Sequence, residues 1–248
     1  MKILICLSCV PDTTSKINFT DDDSKFDKSG IQFIINPYDE FGLTKAMMLK
    51  ETNGFEITAI TVGDVSVEPI LRKALAIGAD KAVRINHDPK DSYSTAVEIA
   101  SYIKNNSFDL IITGRESIDY NGCAVPGMIS EILNLPFVNA CINLEINNNS
   151  IKMIREIDGG KETIQAQMPI VVAGQKGLVE ESDLRIPNMR GIMQARNKPL
   201  NIVEPINTTV FTQSIKFEKP KEKEECKLID AGNVTELINL LKNEAKVI

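Results

Sequence analysis

The 248-residue sequence contains no tryptophan and a single histidine, His87. One imidazole cannot build a histidine-based metal cage, and it leaves a Ser-His-Asp arrangement with a single candidate base. Nothing in the spacing sets His87 near a candidate serine, and "NHDPKD" reads as a surface loop. No apolar run reaches the ~18 residues of a membrane span. Basic residues are outnumbered, 28 Lys and Arg against 34 Asp and Glu, for a net charge of −6. That balance disfavours a nucleic-acid partner, which selects for a basic surface. The five cysteines are an odd number for a disulfide framework. They suggest reduced thiols and a cytoplasmic setting. Neither G-x-G-x-x-G nor G-x-x-x-x-G-K-[ST] occurs, so the common dinucleotide and Walker-type phosphate loops lack their signatures.

What is present alternates. "MKILICLSCVPD" begins basic and then apolar, but its run is short, lacks a small-residue cleavage site and breaks at Pro11; it reads as a first core strand. Residues 17–35 read as an exposed excursion with strand-like "INF" and "IQFII". In "NPYDEFGLTKAMMLKE", Asn36 suits a cap and Pro37 the first helical position. "ITAITVG", "KAVRI" and "FDLIITG" are buried strands. Between them, "SVEPILRKALAIGA" and "SYSTAVEIASYIKNN" carry helical spacing: Ile70, Leu71, Ala74 and Leu75 in one, Ala96, Ile99, Ala100 and Ile103 in the other. The expected fold is α/β, a doubly wound, mostly parallel, Rossmann-like sheet. Ligands bind such sheets at the rim formed by the strands' C-terminal ends. The loops there are "CLSCVPD", "INPYD", "TVGDVS" and the glycine-bearing "TGRESIDYNGCAVPG".

After Pro136, "FVNACINLEI", "SIKMIREI" and "ETIQAQM" predict an antiparallel insertion, and "PIVVAG" a strand returning to the main sheet. Residues 177–200 look irregular and 201–230 extended and polar, with the charge-rich "KFEKPKEKEECK". "NVTELINLLKN" predicts a terminal helix with a stripe of Val234, Leu237, Ile238 and Leu241, to be docked on its own domain or on another chain. The organisation expected is residues 1–200 as an α/β domain and 201–248 as a C-terminal arm.

Candidate chemistry is sparse. Cys6 and Cys9 have redox spacing, but a Val-Pro dipeptide follows where a redox dithiol has a helix start, and Cys6 falls inside the strand. No nucleophile–base pair stands out, so the chain is equipped to bind rather than to transform. Gly114 ends a strand and Gly122 precedes a helix; free N–H groups there, aided by the helix dipole, can hold a phosphate, or the glycines serve only the turns. In "REIDGGKETIQ", a Gly159–Gly160 loop sets Arg155 opposite Ile164 and Met153 opposite Ala166. Alternation puts Arg155 on the face of Ile151, Met153 and Ile157. A charge there needs a partner, such as Glu162, another chain or a cofactor held by another chain, unless it snorkels to water.

The stretch "REIDGGKETIQAQMPIVVAG" resembles the signature of the electron transfer flavoprotein beta subunit. "INPYDEFGLTKAMMLKE", "RKALAIGADKAVRI", "DLIITGRESID" and "RGIMQARNKPL" resemble further family segments, in order, over nearly the whole chain. The resemblance implies a heterodimer whose alpha subunit holds most of the redox-active FAD. The beta subunit carries AMP, or a second FAD in electron-bifurcating members, and sends a C-terminal arm around its partner. It implies no catalytic residue of its own. Electrons are implied to arrive from acyl-CoA dehydrogenases or similar flavoenzymes and to leave for a quinone reductase or another acceptor.

Position by position, the resemblance assigns the nucleotide to Cys6, to Asn36, Pro37, Tyr38 and Asp39, to Val62, and to Gly114, Arg115, Ile118, Asp119, Asn121, Gly122, Cys123, Ala124 and Val125. It assigns Arg155 and Glu156 to the interface and flavin environment, and Ile186 and Met189 to partner recognition, Met189 replacing a frequent leucine. The phosphate loop "DYNGCAVPG" has neither the Asn-Gln-Thr of AMP-binding members nor the Gly-Asp-Thr-Ala-Gln-Val-Gly of bifurcating ones. AMP is the expectation, because the bifurcating motif is the more clearly absent. Two other classes compete. A stress-type nucleotide-binding regulator would lack the hairpin insertion and the arm. An adenylating ligase would need a phosphate-reactive loop.

Overall fold

The computed structural model describes residues 1–206, 208–221 and 226–248. In chain order its elements are β1 (Lys2–Cys6), β2 (Cys9–Pro11), β3 (Phe19–Thr20), β4 (Lys25–Phe26), β5 (Phe33–Ile35), α1 (Pro37–Asn53) and β6 (Glu56–Val62). There follow α2 (Glu68–Ile77), β7 (Lys81–Ile85), α3 (Ser92–Lys104), β8 (Leu110–Gly114) and α4 (Val125–Leu133). The second half holds β9 (Phe137–Asn147), β10 (Ser150–Ile157), β11 (Gly160–Gln167), β12 (Ile170–Gly174), α5 (Met189–Ala195), β13 (Leu200–Val203) and α6 (Val234–Asn243).

One nine-stranded sheet runs β11-β10-β9-β12-β8-β1-β6-β7-β13. Its neighbours are parallel from β9 through β13, and β9-β10-β11 are antiparallel. The fold is thus α/β and doubly wound. Strand β1 shows why both faces are covered. Ile3 and Ile5 pack into a core with residues of α1 and α2, while Leu4 and Cys6 pack into a second core with residues of α3 and α4. A period of two with apolar residues on both sides produces a strand buried on both faces. The chain leaves β1 toward β6 on one side and β8 lies on the other, so the switch point falls between β1 and β8.

Three expectations need correction. Residues 177–200 are not irregular: they hold a short 3-10 turn at Glu181–Asp183 and the helix α5, and lead into β13, which pairs with β7 as the edge strand. A lone four-residue strand, here Leu-Asn-Ile-Val, carries little periodic signal, and the pairing is non-local. The hairpin register also differs. Its tip is Asp158-Gly159, with Gly159 at φ 83°, so Arg155 faces Glu162 and Met153 faces Ile164. Gly159 supplies the one left-handed position at the tip, and Gly160 is left to the strand. Asn36, at the cap position of α1, makes no capping bond.

The C-terminal stripe is exposed except at Leu241, which is half-buried. Val234, Leu237 and Ile238 are all open to solvent, and no residue of α6 is buried. Part of the charged "KFEKPKEKEECK" stretch lies outside the described residues. Among the described residues no helix is long and apolar enough to cross a membrane.

Candidate functional site

The Asn36-Pro37-Tyr38-Asp39 turn, with Asn36 and Asp39 buried, ties the rim loops together. Asn36 Nδ2 donates to the Glu116 carbonyl (2.8 Å), and its Oδ1 accepts from Ile118 N (3.2 Å). Asp39 accepts from Ser8 N (2.6 Å) and Gly114 N (2.8 Å). One turn therefore fixes the loop after β1 and the loop after β8, on either side of the switch point. Gly114 has no room for a side chain: a Cβ there would run into the Asp39 carboxylate and come within 2.8 Å of Tyr38 Cβ. Burial pushes the Asp39 carboxyl up to about 7, against the hydrogen bonds from Ser8 and Gly114 that favour its charged form.

The braced loops surround a cleft of about 350 Å³. Of the expected nucleotide positions, Cys6, Asp39, Val62, Gly114, Arg115, Asp119, Gly122, Cys123, Ala124 and Val125 line it. Asn36, Pro37, Ile118 and Asn121 do not line it. Asn36 and Ile118 brace its wall instead. Tyr38 faces a second cavity of about 580 Å³, which Arg115, Glu156 and Gln175 also line. Arg115 thus borders both spaces. Its guanidinium donates to Gln175 Oε1 (3.1 Å) and Glu116 Oε1 (2.9 Å), and Cζ lies 5.8 Å from the Tyr38 ring centroid. Gln175 Nε2 in turn donates to Glu156 of the hairpin. A continuous polar chain links the cleft wall to β10.

In the loop after β8, Asn121 (φ 49°) and Cys123 (φ 50°) are left-handed, and α4 begins at Val125. Alternating backbone at a helix start of this kind forms anion-binding concavities. Cys123 Sγ donates to Glu116 Oε2 (2.9 Å), a bond that pushes its thiol up. Burial pushes the Cys6 thiol far above its ordinary range and Cys9 up to about 11, so neither supplies the thiolate that redox chemistry needs. His87 is half-buried rather than a free surface residue, and its Nε2 has no partner among the described residues. No cluster of three or more metal-ligating side chains occurs among the described residues.

The hairpin arginine has a local partner: Arg155 Nε lies 2.6 Å from Glu162 Oε2, directly across the strand pair. Both side chains are over a third exposed, at 36 % and 45 %. The apolar face fades along β10, from fully buried Ile151 and Met153 to exposed Ile157. At the other edge, Ile186 and Met189 stand 85 % and 74 % exposed, with Ile192 and Met193 also open. They project from a segment that is itself fixed. Arg72 Nη1 donates to the carbonyls of Ala195 (2.8 Å) and Lys198 (3.0 Å), and Lys198 Nζ to those of Leu75 (2.9 Å) and Ala79 (2.7 Å).

Sequence reasoning missed Asp91 and Glu98. Asp91 caps α3 through Ser94 N (2.7 Å), lines the cleft, and accepts from Phe211 N (2.7 Å) and Thr212 N (3.1 Å). Burial opposes its ionisation, but these bonds outweigh burial and hold its pKa down to about 2. Buried Glu98 accepts from Ile206 N (3.0 and 3.1 Å). Phe217 then stacks on Phe19 at 5.0 Å. The C-terminal segment is thereby strapped across α3 to the excursion before α1. The cap pattern "DSYS" was visible in the sequence; the long-range bonds had no local signal.

A doubly wound sheet with braced rim loops around a cleft at its switch point defines a nucleotide-binding-type α/β protein. The hairpin insertion and the C-terminal extension, absent from a stress-type regulator, are both present. The electron transfer flavoprotein domain matches residues 23–207. Over its full length the chain is 36 % identical to the electron transfer flavoprotein subunit beta of Bacillus subtilis, with all of that protein covered. It is 33 % identical to the subunit of the same name from Syntrophomonas wolfei, covering all of this chain and 98 % of that one. With the caffeyl-CoA reductase-Etf complex subunit CarD of Acetobacterium woodii it shares 30 % identity over 82 % of this chain and 78 % of that protein. The chain belongs to the electron transfer flavoprotein family, among its beta subunits.

Proposed function

We propose that this chain pairs with an electron transfer flavoprotein alpha subunit and binds AMP in the cleft between β1 and β8, as an electron-carrier subunit without catalytic residues of its own. The observation carrying this reading is the convergence of the rim loops on one cleft, with Asn36 and Asp39 holding the loop that leads into α4. A phosphate fits at residues 121–125, where the α4 N-terminus and the left-handed residues offer N–H groups. Lys28 and Lys90 border the same space and offer cations to a phosphate, in a lining that also carries six carboxylates, one of them paired with Arg115. The volume, about 350 Å³, lies at the small end of the ~300–1,000 Å³ range of ligand sites. The absence of the bifurcating loop motif favours a mononucleotide over a second FAD.

FAD then resides mainly in the alpha subunit, and the face presenting Arg155, Glu156 and the second cavity helps to shape its site. A cation there stabilises added electron density on a flavin. The arm, residues 201–248, starts from β13 and the strap on this chain, and its exposed α6 stripe docks on the alpha subunit. Ile186 and Met189 form the apolar anchor for transient contact with acyl-CoA dehydrogenases or similar donors, surrounded by Arg185 and Arg190. A quinone reductase or another acceptor takes the electrons onward. Cytoplasmic residence accords with the five free cysteines.

The test is co-expression with the cognate alpha subunit. The pair is expected to purify together and yellow, while this chain alone shows no stable flavin spectrum. Purification of this chain alone with stoichiometric FAD would overturn the AMP assignment, and failure to form the pair would overturn the partnership.

A further inference from the structure

Among the described residues, two atoms of the cleft lining are buried without a partner: Arg115 Nε, whose guanidinium is otherwise held by Gln175 and Glu116, and the hydroxyl of Thr113, which has no bond at all. Thr113, on β8, is 4 % exposed and lines the cleft. Its Oγ1 is buried and makes no hydrogen bond among the described residues. Thr61, equally buried on β6, shows the usual solution: its hydroxyl donates to the Leu7 carbonyl at 2.7 Å. A buried hydroxyl without a partner is unfavourable, and buried polar groups in native proteins are nearly always paired. The neighbouring residues of β8 are Leu110, Ile111 and Ile112, so a β-branched apolar residue at position 113 would continue the strand without that cost. The strand alternation puts Thr113 on the same face as Ile111, which packs with Leu4 and Cys6 in the α3/α4 core.

We propose that Thr113 is a ligand contact: its hydroxyl hydrogen-bonds the nucleoside portion of the nucleotide held in this cleft. The inference rests on the nucleotide reading above. The phosphate is drawn to the N–H groups at the start of α4 and to the cations at the cleft border. The same lining includes apolar Cys6, Val62 and Ile99, surfaces that suit a base or ribose. The hydroxyl therefore selects for a nucleoside, and its lone unsatisfied bond is completed only when ligand is present.

The experiment compares Thr113→Val and Thr113→Ser with the parent, each as the full chain co-purified with the alpha subunit and stripped of adenine nucleotide. Equilibrium dialysis with labelled AMP, competition by inorganic phosphate, and thermal melts without added AMP are measured. Thr113→Val is expected to weaken AMP binding about 5–50-fold. Thr113→Ser is expected to stay close to the parent, and phosphate competition to be unchanged. Nucleotide-free Thr113→Val should melt at or above the parent, because an unpaired buried hydroxyl has been removed. AMP affinity equal to the parent's in Thr113→Val would overturn the proposal, as would a lowered melting temperature that accounts for the weaker binding. A parent pair that binds phosphate but no AMP would overturn the nucleotide reading itself, which separates the two failures.

Discussion

Gly191 sits where α5 crosses α2, and a methyl group there has no space. A Cβ would fall on the Ala76 carbonyl oxygen, well inside van der Waals contact, and 3.2 Å from the carbonyl carbon. Both obstructing atoms are backbone, so no side-chain rotamer relieves them. Two effects oppose each other in Gly191→Ala. Helix propensity favours alanine by up to ~1 kcal/mol. Overpacking against a fixed backbone costs about 1–3 kcal/mol. Moving α5 away also loosens the bonds from Arg72 to Ala195 and Lys198, which are charge-assisted and worth about 1.5–3 kcal/mol each in good geometry. The clash wins, and the variant is expected to lose roughly 1–3 kcal/mol, a fall of several degrees in melting temperature for a chain of this size. The same displacement moves Met189 and Ile192, so reduction by the donor dehydrogenase should slow as well. Urea unfolding and thermal melts of the full chain measure the first effect, and donor-dependent reduction of the assembled pair the second. A variant that melts at or above the parent would refute the reasoning, because propensity would then have outweighed the contact.

Met189→Ala is expected to weaken the apparent affinity for the donor dehydrogenase while leaving assembly and nucleotide content intact; steady-state reduction at several carrier concentrations measures it, and an unchanged affinity contradicts the anchor role. Arg155→Gln should cost the isolated subunit no more than ~1 kcal/mol, since its ion pair with Glu162 is exposed. The same variant should lower the flavin potential of the assembled pair; a redox titration beside a melt separates the two, and a lower melt with an unchanged potential makes the hairpin purely structural. Asp91→Asn should release the strap, exposing the amides of Phe211 and Thr212 to rapid hydrogen exchange. Because the folded pKa of Asp91 is depressed to about 2, its contribution is complete above the ordinary carboxylate range and is lost as the pH falls toward 2. The parent should therefore lose about 1–2 kcal/mol over that window, and the Asn variant less.

Continuous runs such as Ile3–Cys6 and Leu110–Gly114 announced buried parallel strands because both faces of each strand meet helices. Helices α2 and α3 were legible from their apolar spacing, and the rim loops followed from strand direction alone. The four-residue β13 carries no comparable pattern; its place beside β7 comes from long-range pairing. Asn36 illustrates a different limit. Asn-Pro before a helix favours a cap, yet its amide reaches Glu116 and Ile118, 80 and 82 residues away in sequence. The hairpin register turned on which of two adjacent glycines takes the left-handed backbone. Asp91 as a cap was readable, but its second oxygen serving the C-terminal segment was not, because nothing local encodes that meeting. Thr113 was passed over for a related reason: a threonine in a strand is ordinary, and only the packed structure reveals a hydroxyl without a partner.

The central claim is that this beta subunit carries one adenine mononucleotide in the cleft between β1 and β8. It is tested most directly by denaturing the co-purified alpha–beta pair and quantifying the released nucleotides by chromatography. One AMP and one FAD per pair are expected. Two FAD and no AMP, or one FAD with no adenine mononucleotide, would contradict it.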